Sequence, residues 1–114
     1  MSHLNQVRSL SQVALKQVIA TAPAGPHKID ALNQLSWLSR RSEIQHSLQL
    51  AQEAYESACA TDYSSGKAYG MLNLAFHDFT SQGKIEQSIK SFLEVIRLFE
   101  SLGDDYGACL THSL

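Results

Sequence analysis

The chain is short of residues that interrupt helices or build a covalent framework. Its 114 residues include two prolines, Pro23 and Pro26, close together near the start. Beyond Pro26 every residue carries a backbone N–H, so no helix after that point has to lose a bond or clash with its preceding turn. Two cysteines, Cys59 and Cys109, are too few for a disulfide framework. Both lie among alanines on helical patterns, and the expectation is two buried free thiols in a cytoplasmic chain. No apolar run approaches the ~20 residues of a membrane-spanning helix. The opening residues alternate polar and apolar without a continuous apolar core, so neither a membrane span nor a secretory signal is expected.

Chemistry-bearing patterns are also missing. There is no Gly-rich phosphate loop, no nucleophile elbow and no pair of catalytic carboxylates. The five histidines, His3, His27, His46, His77 and His112, are scattered. Glu43 and His46, at i and i+3, form the best acid–imidazole pair; Asp78 follows His77 directly and so lies off its face. Cys59 has no base beside it that would activate the thiol. An enzyme, a metal site and a cofactor are therefore not expected. Net charge is −2, unevenly spread: residues 1–41 carry five basic and one acidic side chain, residues 42–114 four and ten. Two solvated surfaces account for this, and head-to-tail attraction between protomers is the sharper alternative. The basic residues are too dispersed for nucleic acid.

What is present is helical periodicity. Residues 67–102 read as two amphipathic helices around a turn at Ser81, Gln82 and Gly83. Leu72, Ala75, Phe76 and Phe79 follow i, i+3, i+4, i+7, one stripe of a 3.6-residue period. Ile85, Ile89, Phe92, Val95, Ile96 and Phe99 make the matching stripe. Gly83 takes a left-handed conformation at little steric cost, and so short a turn forces the helices antiparallel.

The chain also repeats itself. Leu32 and Asn33 fall on Leu72 and Asn73 at an offset of 40. Ile44 and Ser47 fall on Ile85 and Ser88, and Gly66 on Gly107, at an offset of 41. The extra residue belongs at the turn inside the repeat, where insertion is cheapest. Two helices per period of this length predict an all-α solenoid of stacked hairpins.

The remaining elements fit this period. A leading helix is expected over residues 2–21, with Leu4, Val7, Leu10, Ala14, Val18 and Ile19 as its stripe. Pro23 ends it, and Pro26 opens the next helix, over 26–40. A further helix is expected over 42–61, with Ser42 as N-cap and Glu43 near its dipole. Residues 63–66 read as the link between repeats, with Ser64 or Ser65 capping the next helix and Gly66 and Gly70 allowing close approach. Asp104 or Asp105 caps a last helix that stops at Leu114, the start of a third repeat. The expected organisation is one domain: a leading helix (1–22), repeat one (26–62), repeat two (64–102) and a partial repeat (104–114). The apolar stripe left open at the end is expected to be covered either by more of a longer protein, of which this chain is a fragment, or by another protomer in a homodimer through uncovered stripes.

These residues resemble the tetratricopeptide repeat. The family's helix-turn-helix positions are taken by Leu72, Ala75, Phe76, Phe79, Gly83, Ser88, Phe92 and Val95. In the earlier copy they are taken by Leu32, Leu35, Ser36, Ser39, Ser47, Ala51 and Ala54. The segment SLGDDYGACL at 101–110 is similar to the inter-repeat link of a longer variant found at the N-termini of bacterial signalling proteins such as diguanylate cyclases and sensor kinases. The resemblance implies a right-handed α-α superhelix and a protein-interaction scaffold, the regulatory or sensory part of a larger signalling protein. It also implies a concave groove, lined by the first helix of each repeat, that takes a protein or peptide partner. Helical spacing then puts Asn33, Trp37, Arg40 and Arg41 beside the first stripe, and Asn73, His77, Thr80 and Ser81 at the equivalent places. The two amides are suited to a peptide backbone, Trp37 and His77 offer flat aromatic surface, and the arginines suit a carboxylate. A half-buried packing Trp37 and a solvated Asn pair are the plain alternatives.

Overall fold

The computed structural model describes residues 10–81 and 83–113. Among these the chain is all-α, with six helices and no strand. The first, α1 (Gln12–Thr21), starts where the Ser11 hydroxyl accepts the Ala14 N–H at 3.2 Å. Ser11 is extended, so the helix expected from Ser2 does not run unbroken: within the described residues it begins at Gln12, and Leu4 and Val7 lie outside them. Its deepest side chain is Leu15, fully buried and absent from the expected stripe. Leu10, Val18 and Ile19 pack around it.

Pro26 opens α2 (Pro26–Leu38), as its missing N–H allows. The helix stops two residues sooner than expected, because the Ser39 and Arg40 side chains turn back onto its last carbonyls. Ser39 Oγ donates to Leu35 O at 2.7 Å, and Arg40 Nη1 to Trp37 O at 2.7 Å. The next helix, α3 (Ile44–Thr61), starts after Glu43 rather than after Ser42, with no side-chain cap.

The link to α4 (Ser64–Ser81) is shorter than the glycine pattern suggested. Asp62 takes the left-handed conformation (φ 55°), and the Tyr63 N–H closes on Ala58 O at 2.9 Å. Ser64, Ser65 and Gly66 are already helical. Gly66 lets α4 sit hard against its neighbours: a Cβ there would come within 2.6 Å of the Ile29 side chain. Gly83 (φ 64°) then turns the chain into α5 (Ile85–Ser101); Gln82 lies outside the described residues. After a second such closure, Asp104 N–H to Phe99 O at 2.9 Å, comes α6 (Asp105–His112). The Asp104 carboxylate caps α6 at the Gly107 N–H, 2.9 Å away, and also accepts the Tyr69 hydroxyl at 2.6 Å.

Consecutive helices pack on one another, and α4 packs on α2 as well as on α3 and α5. Two apolar clusters result. Leu15, Ile29, Leu32, Leu35, Leu50 and Ala54 form one; Ala68, Tyr69, Leu72, Val95 and Phe99 form the other. Each large side chain buried there contributes roughly 1.5–3 kcal/mol. Tyr69 meets Phe99 edge-on at 4.6 Å between ring centroids.

Several positions 40 or 41 residues apart share the same burial, although Ser39 is 1% exposed where Phe79 is 42%, and Ala68 is 0% exposed where Cys109 is exposed. Leu32 and Leu72 are each 1% exposed, and Ala54 and Val95 each 0%. Helices α3 and α5 start at Ile44 and Ile85, and α4 and α6 at Ser64 and Asp105, each pair 41 residues apart.

Three expectations about burial need correcting. In α5 the buried line is Ser88, Val95 and Phe99, whereas Ile85 and Ile89 are 56% and 49% exposed, because α5 presents apolar residues over more than one face. Phe79 is 42% exposed. Both cysteines are free thiols, as expected, but they are exposed rather than buried.

Candidate interaction cleft

Of the residues expected to line a peptide groove, the innermost are spent on holding the helices together. Asn33 is 3% exposed, and its side-chain amide donates to Gly66 O at 3.1 Å. Asn73, also 3% exposed, donates to Asn33 O at 3.2 Å and to Asn33 Oδ1 at 3.3 Å. The two amides form a ladder from α2 to α4 instead of facing a ligand or solvent.

His77 is likewise 3% exposed, with Nε2 3.0 Å from Ser47 Oγ. Ser47 Oγ donates its proton to Ser36 O at 2.6 Å, so it accepts from His77 and assigns the Nε2–H tautomer. Ser36 Oγ returns a bond to Ser47 O at 2.8 Å. This joins α2, α3 and α4 through buried polar groups. Burial holds the His77 pKa below the ordinary histidine value, with Asp78 acting weakly the other way. The face between Asn33, Trp37, Tyr69 and Asn73 leaves a cavity of only about 10 Å³, no more than a single water needs. The expected groove is closed at that level.

The open space lies further along, at the last turns of α2 and α4. A cleft of about 450 Å³ is lined by Arg40, Arg41, Ile44, Phe76, Phe79 and Thr80, with Ser113 at its edge. Three of the expected residues, Arg40, Arg41 and Thr80, are brought together here. The side chain of Ser81 is not among those described. Ile44, Phe76 and Phe79 were legible in the sequence only as core or repeat positions. Yet Ile44 is 46% exposed and Phe79 42%, and Phe76, at 6%, forms the floor.

Arg40 is held rigidly. Its guanidinium carbon lies 3.8 Å from the Trp37 ring centroid and 5.5 Å from that of Phe76. Trp37 meets Phe76 edge-on at 6.0 Å and packs on the second apolar cluster, so it is a half-buried packing residue beneath Arg40. Burial, and then the neighbouring Arg41, lower the Arg40 pKa, although the side chain stays charged. Its Nε–H is buried without a hydrogen-bond partner. Neither arginine makes an ion pair with a carboxylate among the described residues.

Other candidate features are less organised. A second cleft, of about 330 Å³, lies between the start of α2 and the end of α3; Lys28 and Glu53 both line it, so it has no charge of one sign to select a ligand. Glu43 and His46 are both exposed, as are Cys109 and His112 one turn apart on α6. Among the described residues no group of three or more His, Cys, Asp and Glu is placed to hold a metal ion. No helix among them is long and apolar enough to cross a membrane. Compared with known proteins, the chain matches no family model, no curated protein and no solved structure.

Proposed function

We propose that this chain is a tetratricopeptide-like interaction module that docks a segment of a partner protein and performs no covalent step. One observation carries the reading: the starts of α3 and α5 and of α4 and α6, buried positions such as Leu32 and Leu72, and the close-approach glycines Gly66 and Gly107 recur 40 or 41 residues apart. Units that recur in this way bury their faces on one another and offer an extended binding surface, and on the tetratricopeptide-like reading they stack into a right-handed superhelix. On this reading the partner docks in the cleft of Arg40, Arg41, Ile44, Phe79 and Thr80, above the closed Asn and His layer. The chain then serves as the regulatory or sensory part of a larger bacterial signalling protein in the cytoplasm.

The test is a selection of displayed random peptides on the folded chain, followed by amide NMR mapping. Enriched segments should shift residues 40–44 and 76–80. No enrichment over an unrelated helical protein, or shifts only elsewhere, refutes docking at the cleft.

A second reading, self-association, is favoured by the half-exposed Ile85, Ile89 and Leu93, which line one side of α5 at i, i+4, i+8. Light scattering over a concentration series separates the two. A monomer at every concentration removes self-association and leaves the docking reading untouched.

A further inference from the structure

We infer that the cleft at the ends of α2 and α4 selects a peptide segment in which an acidic side chain stands directly next to a bulky apolar one. The inference rests on the docking reading above and adds the chemistry of the partner. It begins with two adjacent guanidiniums that have no counter-ion among the described residues. Arg40 stacks on Trp37 and gives one N–H to Trp37 O, which suits a cation at the C-terminus of α2. That bond uses a single donor of the five on the guanidinium and leaves the buried Nε–H unpaired. Helix-end stabilisation therefore accounts for the position of Arg40. It does not account for a second arginine, Arg41, exposed at the same mouth with no ion pair among the described residues.

The stack has a consequence for binding. A guanidinium already fixed over an aromatic ring loses little side-chain freedom when it meets a carboxylate, so more of the interaction survives as affinity. In the same lining, Ile44 and Phe79 stand nearly half exposed beside the buried Phe76. Water left against these side chains is released when an apolar group covers them. A volume of about 450 Å³ accommodates a few side chains, not a folded surface.

Charge elsewhere narrows the partner further. Residues 42–114 carry ten acidic side chains against four basic ones. A long acidic tract is repelled by that surface, whereas one carboxylate beside an apolar anchor meets only the arginines and the apolar wall. The same pairing disfavours nucleic acid, which asks for a continuous basic track and offers no aliphatic anchor.

The test titrates the uniformly ¹⁵N-labelled chain with acetyl-GSELSG-amide and two controls, acetyl-GSQLSG-amide and acetyl-GSEASG-amide. The first should shift the amides of residues 40–44 and 76–80 and bind about tenfold more tightly than either control, as expected for one charge-assisted contact and one apolar anchor. Arg41→Gln, at an exposed position, should reduce the preference for Glu over Gln to the part that Arg40 supplies, without changing the thermal midpoint. Equal binding of the Glu and Gln peptides, a preference as large in Arg41→Gln as in the parent, or no cleft shift at millimolar peptide overturns the inference. If the display selection enriches cleft-binding segments without an acidic residue, docking stands and only the charge selection falls.

Discussion

Replacing Asn73 by Ala tests whether the paired asparagines serve the fold or a ligand. The Asn73 amide nitrogen spans Asn33 O and Oδ1 at 3.2 and 3.3 Å, with both residues 3% exposed. Within α2 the Asn33 carbonyl keeps its helical bond, so the group stranded by the substitution is Oδ1, buried and without a donor. An unsatisfied buried acceptor costs about 1–3 kcal/mol, and the small void adds a fraction of that. The expected loss is therefore about 2 kcal/mol, which for a chain of this length lowers the thermal midpoint by about 8 °C. Asn73→Asp keeps the shape but turns an acceptor toward two acceptors. It should lose more than the Ala variant at neutral pH and recover part of the loss once its carboxyl is protonated. Urea denaturation followed by circular dichroism, with the slope of the transition unchanged, reads these losses as midpoint shifts. An Ala variant within 0.5 kcal/mol of the parent, a size usual for surface changes, would refute the structural role of the ladder and return Asn73 to the candidate ligand contacts.

Other expectations follow from particular contacts. Gly107→Ala places a Cβ 2.5–2.7 Å from atoms of the Phe99 ring, and should cost about 1–3 kcal/mol by overpacking, measurable as a lower denaturation midpoint. Gly83→Ala meets nothing within 4 Å, and should cost only the strain of its left-handed backbone, about 1 kcal/mol. His77 has a folded pKa held below its unfolded value by burial, so its contribution to stability is whole above about pH 6.5 and is lost as pH falls through the lower folded value. Denaturation midpoints at several pH values should show that loss in the parent and not in His77→Gln; identical profiles would refute it. Asp104→Ala removes the α6 cap and the acceptor of the Tyr69 hydroxyl together, and should cost about 1–2 kcal/mol, with earlier amide exchange in α6 than in α4.

The helices themselves were legible along the chain because their causes are local. A 3.6-residue stripe, Pro26 at a first helical position and Gly83 at a left-handed turn each act within a few residues. The offset of 40 to 41 residues placed Leu32 with Leu72, and these two positions are equally buried. Boundaries slipped where a bond across the turn answered a backbone carbonyl. The Arg40 side chain on Trp37 O closes α2 at Leu38, and the backbone Tyr63 N–H on Ala58 O lets α4 begin at Ser64, inside the stretch that composition suggested as a link.

What tertiary structure alone decided was which side of each helix is covered. A helical wheel sets Asn33, Asn73 and His77 just outside the apolar stripe, where a helix with one neighbour would expose them. Helix α4 has three neighbours, so that margin is buried as well, and its polar atoms are paired across the packing. Helix α5 shows the converse: its apolar residues exceed one face, and Ile85 and Ile89 are about half exposed. Periodicity records that a residue is apolar or polar. Whether it meets protein or solvent depends on how many other helices arrive at its side, and that number is a property of the packed chain.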